Sequence, residues 1–217
     1  MKIVVTAGPT REPIDPVRYI SNRSSGKMGY ALAEAALDFG HEVTLISGPT
    51  ALTPPANAQL VRITTADELY DAVHTHVCAC DLLVMCAAVS DYKPINSAAQ
   101  KMEKQTGEFA LRLTPTRDIL ASLPTENRPY FVVGFAAETH EIETSARRKL
   151  LAKHCDMMVA NDVSRADVGM ESDSNAVTIF ARDGETKTIS RAPKKIIAQK
   201  ILKIVFNMCE KSLTKKS

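Results

Sequence analysis

Apolar and polar positions along the chain follow two alternating patterns. Short continuous apolar runs, such as residues 2–6 (KIVVT), have the length and β-branched content of strands buried on both faces of a parallel sheet. Between them lie stretches with apolar residues at helical spacing, such as residues 28–39, which end before Gly40, a residue suited to closing a helix. The patterns predict strands at residues 2–6, 41–46, 60–63, 81–89, 130–136, 157–160, 176–181 and 186–190, and helices at residues 28–39, 66–77, 142–153 and 193–208.

This alternation of strands and helices predicts an α/β fold. We expect a Rossmann-like, doubly wound and mostly parallel sheet with helices on both faces, in a single domain over residues 1–217. The last two strands are expected to form a hairpin around Asp183 and Gly184. The last helix is expected to pack its apolar face on the sheet and to turn its lysines outward.

Two segments fit neither pattern: residues 8–25, called here the arm, and residues 91–107, called here the flap. The arm is rich in proline, which fixes φ, so we expect a stiff extended segment. Both segments follow predicted strands, and ligands of doubly wound sheets bind beyond the carboxyl ends of strands. The sequence therefore predicts a binding site formed by the arm and the flap.

Composition narrows the class of protein. The 217 residues are 45% hydrophobic and 24% charged with a net charge of +2, which gives no electrostatic reason to expect a nucleic-acid partner. The longest apolar runs fall far short of the ~20 residues of a membrane helix, and the chain opens on a strand pattern, so we expect neither a membrane partner nor a secretory signal. Five cysteines at irregular positions suit a reduced, cytoplasmic protein.

The arm leads into a glycine-rich turn, SSGKMG at residues 24–29, at the start of the first predicted helix. Free backbone N–H groups at such a turn favour an anion, and the hydroxyls and Lys27 add donors. The turn is not a Walker A loop, because Met28 follows Lys27, and the arm separates it from the strand, unlike a dinucleotide fingerprint. A helix start capped by a side chain is the alternative interpretation.

Other candidates carry groups suited to a nucleotide and a carboxylate substrate. Arg18 and Asn22 in the arm could bind a carboxylate or carbonyl group. The stretch CAAVSDY at residues 86–92 places small residues at a strand end, followed by Asp91, which suits ribose hydroxyls or a metal ion. A solvated loop, or packing of the small residues, is the alternative in each case.

Three lysines are further candidates for binding phosphate. Lys101 lies in the flap, where it could neutralise charge on a triphosphate. Lys149 and Lys153 lie four residues apart and share a face of a predicted helix. A solvated basic surface is the alternative interpretation.

Two other classes of site are disfavoured by their own motifs. The His-x-His and Cys-x-Cys spacings in residues 74–80 are not those of zinc sites, so no metal is expected there. A nicotinamide-dependent oxidoreductase would place an acid after the second strand, where residues 47–49 read SGP. The sequence also contains no Tyr-x-x-x-Lys pair.

Four motifs together resemble phosphopantothenoylcysteine synthetase, the coenzyme A pathway ligase, in its bacterial CTP-using form. They are TAGPTREPIDPVRYISNRSSGKMG at residues 6–29, CAAVSDY at 86–92, VVGFAAET at 132–139 and ANDV at 160–163, and the similarity covers essentially the whole chain. The resemblance implies that 4′-phosphopantothenate reacts with CTP to give an acyl-cytidylate and pyrophosphate, and that L-cysteine then displaces CMP. It further implies Mg²⁺ with the CTP and no flavin in this chain.

The resemblance also assigns site residues and partners. Asn22 and Lys101 would be catalytic, serving the second and the first half-reaction respectively. The implied CTP site comprises Met85, Cys86, Ala87, Asp91, Lys101, Thr116, Arg117, Asp118, Ile119, Phe135, Lys149 and Lys153. The implied phosphopantothenate site comprises Arg18, Asn22, Ser24, Gly26, Lys27 and Ala88. A homodimer with shared sites is implied. Bacterial relatives often carry this unit fused behind a phosphopantothenoylcysteine decarboxylase, so we expect either a stand-alone synthetase or one domain of a protein fused to, or associated with, that decarboxylase.

Two positions depart from the family pattern. Glu103 stands where the flap pattern Lys-x-Lys-Lys has a lysine, and residues 116–119 read TRDI where Asn-Pro-Asp-Ile is common. A nucleotide-binding module without catalysis is a further alternative, and the presence of Asn22 and Lys101 argues against it.

Overall fold

The computed structural model describes residues 1–104, 106–138, 140–162 and 172–214, with side chains to residue 210 except that of Asp162. The strands are β1 (Lys2–Ala7), β2 (Arg11–Pro13), β3 (Tyr19–Ser21), β4 (Glu42–Ser47), β5 (Gln59–Arg62), β6 (Leu82–Met85), β7 (Tyr92–Pro94), β8 (Leu113–Pro115), β9 (Phe131–Glu138), β10 (Met157–Asp162), β11 (Ser174–Ala181) and β12 (Thr186–Pro193). The helices are α1 (Lys27–Asp38), α2 (Ala66–Val77), α3 (Ile142–Ala152) and α4 (Lys194–Thr214).

Eight strands form one sheet in the order β12-β11-β10-β9-β6-β1-β4-β5. The strands from β10 to β5 in this order pair in parallel, whereas β11 and β12 add an antiparallel hairpin at one edge. The chain proceeds from β1 towards β4 and β5, and then crosses to the other side of β1 to form β6, β9 and β10. The predicted doubly wound sheet and its terminal hairpin are confirmed, and the order of strands reverses between β1 and β6.

Helices cover both faces of the sheet, as predicted. Leu32 of α1 and Leu202 of α4 belong to the apolar core on one face, and these two helices pack against each other. Leu69 of α2 and Leu150 of α3 belong to the core on the other face. Among the described residues, no helix combines the length and apolar character needed to cross a membrane.

The two segments predicted to be irregular contain short paired strands. Within the arm, β2 and β3 form an antiparallel hairpin, and in the flap β7 pairs with β8, which lies outside it. Each of these strands has three residues, too few to show an alternating pattern in the sequence. The expected stiffness of the arm therefore has a second source, because backbone hydrogen bonds add to its prolines.

The strand predicted at residues 81–89 ends earlier, because β6 stops at Met85. The next residues leave the sheet and run beside the start of the arm. The buried Thr6 hydroxyl accepts hydrogen bonds from the backbone N–H groups of Cys86 (3.1 Å) and Ala87 (3.0 Å). Ala88 then donates its N–H to the Gly8 carbonyl (2.9 Å) and accepts one from Thr10 (3.1 Å).

Thr6→Val should lower the free energy of unfolding by about 1–3 kcal/mol, because it leaves two partly buried N–H groups without their acceptor. Thr6→Ser retains the hydroxyl and should cost about 1 kcal/mol for the lost methyl group. Urea titration followed by circular dichroism measures both values. Equal losses in the two variants would mean that the hydroxyl does not hold this turn.

Candidate functional site

The first cleft of the candidate site lies at the carboxyl ends of β1, β6 and β9. It has a volume of about 330 Å³. Small residues that follow β6 line it on one side, and the glycine-rich turn before α1 lines it on the other. The predicted site residues lining it are Asn22, Ser24, Gly26, Lys27, Cys86, Ala87, Ala88, Asp91, Phe135 and Lys149.

Asn22 connects the arm to the residues that follow β6. Its Nδ2 donates hydrogen bonds to the backbone carbonyls of Ala88 (3.2 Å) and Val89 (2.9 Å). The amide therefore lies beside the small residues predicted to contact the substrate, with its donors directed at carbonyl oxygens. A ligand carbonyl that replaced one of these acceptors would find an oriented donor.

The glycine-rich turn leaves the start of α1 open towards the cleft. Gly26 is the N-cap residue in a left-handed conformation (φ 78°) and has no side chain with which to cap the helix. The Ser24 hydroxyl accepts a hydrogen bond from the Gly26 N–H (3.3 Å). The alternative of a helix start capped by the side chain of its N-cap residue is therefore wrong. A Cβ added at Gly26 would lie 2.7 Å from Thr50 Cγ2 and 3.3 Å from Gly8 Cα, so the turn also packs too closely for another residue. Free N–H groups at a helix N-terminus suit an anion.

Lys27 adds positive charge beside this helix start. Its ammonium lies 2.6 Å from an Asp173 carboxylate oxygen, and this ion pair lowers the pKa of Asp173. Because the pair is partly exposed, a multiply charged anion in the cleft could compete for the ammonium.

A second cleft of about 270 Å³ adjoins the first, and Ala87, Val89, Asp91 and Phe135 line both. The residues that the resemblance assigns to CTP and that line this second cleft are Met85, Ala87, Asp91, Thr116, Arg117, Asp118, Ile119, Phe135 and Lys153. Most of the predicted nucleotide residues thus line the second cleft, whereas most of the predicted phosphopantothenate residues line the first. The two sets meet at the residues that both clefts share.

Three basic residues of the nucleotide set, Arg117, Lys149 and Lys153, form ion pairs with acids. Arg117 lies 3.1 Å from Asp67 and 3.3 Å from Asp71, and its guanidinium stacks 3.7 Å from the centre of the Tyr70 ring. Burial lowers the pKa of Arg117, but the two carboxylates more than offset it and leave the pKa raised.

Lys149 and Lys153 likewise form ion pairs, with Glu138 (2.7 Å) and with Asp118. Together with the Arg117 contacts, the pair between Lys153 and Asp118 positions the loop at residues 116–119 between α2 and α3.

The first turn of α2 holds three segments of the site. The buried Glu12 carboxylate accepts a hydrogen bond from the Ala66 N–H (2.9 Å), which fixes the arm on the helix start. Asp67 pairs with Lys93 of β7 as well as with Arg117. Its hydrogen bond with Lys93, despite an opposing effect of burial, lowers the pKa of Asp67 below its ordinary value.

Arg18 and Lys101 line neither cleft in the described structure. Arg18 instead pairs with Asp15 (3.3 Å) and donates to the backbone carbonyl of Met102 (3.1 Å). Lys101 is exposed and precedes Met102. The arm and the flap therefore meet at a point that brings these two predicted residues near each other, outside the clefts.

Three polar residues of the first cleft were missed by sequence reasoning: Asn161, Asn175 and Lys194. Lys194 is 6% exposed, so the expectation that the lysines of the last helix all face outward is wrong for its first residue. Burial lowers the pKa of Lys194, and the Lys27 ammonium lowers it further. The Asn-Asp pair at residues 161–162 was a visible signal, because it ends an apolar strand at the ligand-binding edge.

Cys86 is a thiol within the first cleft. Removal from water raises its pKa to about 12, although the Lys194 ammonium acts in the opposite direction. The group is therefore neutral at physiological pH.

Known proteins resemble this chain over most of its length. The profile of the family described as DNA/pantothenate metabolism flavoprotein C-terminal domain matches residues 1–208. Coenzyme A biosynthesis bifunctional protein CoaBC of Vibrio vulnificus is 48% identical over 205 residues, which are 93% of this chain and 51% of that protein. The protein of the same name from Escherichia coli is 44% identical over 218 residues, which are 98% of this chain and 53% of that protein.

A crystal structure of the C-terminal domain of a coenzyme A biosynthesis bifunctional protein CoaBC has the same fold. It superposes with a TM-score of 0.82 at 40% identity and covers 97% of this chain and 96% of that one. The chain spans about half the length of the curated relatives it matches. The resemblance predicted from the four motifs is confirmed. The chain belongs to the family of the DNA/pantothenate metabolism flavoprotein C-terminal domain.

Proposed function

We propose that the chain is the ligase that joins 4′-phosphopantothenate to L-cysteine with CTP. The observation that carries this proposal is the pair of clefts that meet at Asp91 and Phe135. Their shared boundary suits a reaction in which an acid and a nucleotide must be brought together before an amine arrives. Relatives named for coenzyme A biosynthesis support the same pathway.

The adjoining clefts suit both half-reactions. In the first, a carboxylate oxygen of 4′-phosphopantothenate forms a bond to the α-phosphorus of CTP, and the bond to the bridging oxygen breaks to release pyrophosphate. In the second, the cysteine amine attacks the acyl carbon, the carbon–oxygen bond breaks to release CMP, and the amine loses a proton. Holding the two reactants in contact removes much of the entropic cost of the first step.

The described residues take distinct parts in this scheme. Asn22 presents its amide donors to the acyl carbonyl, and the Lys101 ammonium neutralises charge that develops on the phosphates. Asp91, at the boundary of the clefts, binds ribose hydroxyls. The open N-terminus of α1 receives a phosphate group.

Magnesium accompanies the nucleotide in this proposal. Among the described residues there is no group of three or more His, Cys, Asp or Glu arranged to hold a metal. Mg²⁺ is commonly held by one or two carboxylates together with substrate phosphates, and Asp91 and Asp118 line the second cleft. These residues therefore fit a metal that binds with CTP, where it would supply positive charge to the phosphates.

Association with a decarboxylase is part of the same proposal. The matched relatives are named bifunctional proteins, and this chain covers 51% of the Vibrio vulnificus protein. A decarboxylase half would consume the product of the ligase, because phosphopantothenoylcysteine carries the carboxylate of its cysteine unit.

Pyrophosphate release tests the proposed function. Purified protein with 4′-phosphopantothenate and Mg²⁺ should release pyrophosphate with CTP, and amide should form once L-cysteine is added. ATP and omission of phosphopantothenate are the controls. Release that needs the acid but prefers ATP would keep the ligase and reject CTP, whereas binding of CTP without release would support a nucleotide-binding module instead.

Asn22→Asp should separate the two half-reactions. The new carboxylate lacks N–H donors and opposes the oxyanion that forms when the amine attacks, so amide formation should fall about 10²–10³-fold. Pyrophosphate release, which does not pass through that oxyanion, should fall less than about tenfold. Both are measured in single-turnover assays.

Asn22→Ala is the matched control for this prediction, because it removes the two hydrogen bonds to the residues after β6 without adding charge. Equal loss of both half-reactions in Asn22→Asp would contradict the assigned role.

A homodimer is the oligomeric state that we propose. The arm exposes Val17 (61% exposed) and Tyr19 (48%), and the neighbouring flap strand β7 exposes Tyr92 (54%). Large apolar side chains grouped in this way favour a protein partner, here a second copy of the chain.

Light scattering after size-exclusion chromatography should give twice the 23.7 kDa chain mass. Val17→Asp combined with Tyr19→Asp should shift the mass to that of one chain, because charge would be buried without a partner. Leu151→Asp, at a 63% exposed position on α3, is the control and should leave the mass unchanged. A wild-type protein with the mass of one chain at micromolar concentration would reject the dimer.

A further inference from the structure

Asp15 is a buried carboxylate at the tip of the arm. It is 3% exposed, and its Oδ1 accepts hydrogen bonds from the backbone N–H groups of Val17 (2.8 Å) and Arg18 (2.7 Å). The Ile14 and Asp15 N–H groups both donate to the Arg18 carbonyl (2.8 and 3.2 Å). One carboxylate oxygen is therefore sufficient to organise the turn that joins β2 to β3.

The other oxygen of Asp15 reaches the flap. Oδ2 accepts a hydrogen bond from the Met102 N–H (3.2 Å) and lies 3.3 Å from Arg18 Nη1. Arg18 Nη2 donates to the Met102 carbonyl (3.1 Å), so the arm binds both backbone polar groups of Met102. A further hydrogen bond, from the Ala98 N–H to the Ile14 carbonyl (2.9 Å), lies near the start of the same flap segment.

The charge of Asp15 strengthens these contacts. Burial by itself raises the pKa of the carboxyl group, but the N–H groups of Val17, Arg18 and Met102 and the Arg18 guanidinium leave it lowered. The group is therefore an anion at neutral pH, and hydrogen bonds to an anion are stronger than those between neutral groups. A contact between residues 87 positions apart is thus made by a charged acceptor.

We propose that Asp15 is a positioning residue that fixes the flap to the arm and thereby places Lys101 for the first half-reaction. The inference rests on the proposed function of Lys101, which precedes Met102. Among the described residues, the Lys101 side chain forms no hydrogen bond or ion pair with the arm, so its placement depends on the backbone at Met102. If the Asp15 carboxylate served only to organise the turn, Oδ1 would be sufficient and no contact between Oδ2 and the flap would be needed.

Asp15→Asn tests the proposal because it separates the two functions of the carboxylate. The amide oxygen can still accept from Val17 and Arg18, whereas the amide nitrogen would face the Met102 N–H and the Arg18 guanidinium, which are all donors. The turn between β2 and β3 should remain, and the hydrogen bond from the Met102 N–H, called here the tie to the flap, should be lost. Met102→Pro is the second variant, because it removes the donor from the flap side and leaves Asp15 unchanged.

The rate of limited trypsin digestion in the flap measures how firmly Asp15 holds this segment. In native protein, cleavage after Lys104 should be at least about fivefold faster in Asp15→Asn and in Met102→Pro than in wild type, because the segment opens more often. Asp183→Asn, in the exposed turn between β11 and β12, is the control and should be cleaved at the wild-type rate. Unchanged cleavage in both test variants would overturn the proposal.

A double-mutant cycle tests the placement of Lys101. Asp15→Asn should slow pyrophosphate release about tenfold or more, because displacement of a catalytic group by about 1 Å is enough for such a loss. In a Lys101→Ala background the same substitution should change the rate less than about twofold, since the group that it positions is gone. A purely structural loss would instead multiply with that of Lys101→Ala and would overturn the proposal.

The two measurements distinguish failure of this inference from failure of the proposed function. Wild-type protein that releases no pyrophosphate would reject the function, while the trypsin comparison would still decide whether Asp15 holds the flap. Active wild-type protein with wild-type cleavage of both test variants would keep the ligase and reject the tie.

Discussion

The candidate site depends most on the two hydrogen bonds that the Thr6 hydroxyl accepts. The hydroxyl lies where the strand order reverses, between β1 and β6, and it turns the chain after β6 out of the sheet by accepting from Cys86 and Ala87. A parallel sheet needs its strand ends to diverge at this place if a ligand is to enter. Here the divergent residues remain ordered because the arm pairs with them through Thr10 and Asn22.

Helix α2 provides a second fixed point, at some distance from the clefts themselves. Its first turn receives Glu12 from the arm, Lys93 from the flap strand β7, and Arg117 from the loop that lines the second cleft. The helix start is itself secured by the Thr65 and Glu68 capping box. Segments that are far apart in the sequence thus share one rigid support, which limits how far each can move independently of the others.

The sequence was sufficient to predict the layered α/β fold, because long apolar runs and helical spacing are strong local signals. The residues of the two clefts were largely found as well, through motifs at the ends of β1 and β6. Local patterns could not show the hairpin of the arm, since strands of three residues leave no periodic trace. Lys194 was missed because a helical lysine is usually solvated, and its surroundings include Lys27, Cys86 and Asp173, which are far from it in the sequence.

Contacts across the chain were beyond sequence reasoning for a physical reason. Asp15 and Met102, or Asp67 and Arg117, meet because the topology brings their segments to one edge of the sheet. Nothing in the neighbourhood of either residue in the sequence specifies its partner. Charged residues for which a solvated loop was the alternative interpretation are therefore the hydrogen-bond donors and acceptors that organise these segments.

The neutral state of Cys86 has a chemical consequence for an enzyme that handles free cysteine, as proposed here. Thiol–disulfide exchange proceeds through the thiolate, and a pKa of about 12 leaves on the order of one molecule in 10⁵ in that form at neutral pH. A cystine molecule in the cleft therefore meets a thiol that attacks its disulfide only slowly. The candidate site can thus hold a cysteine side chain beside the proposed substrate without presenting a reactive thiolate to it.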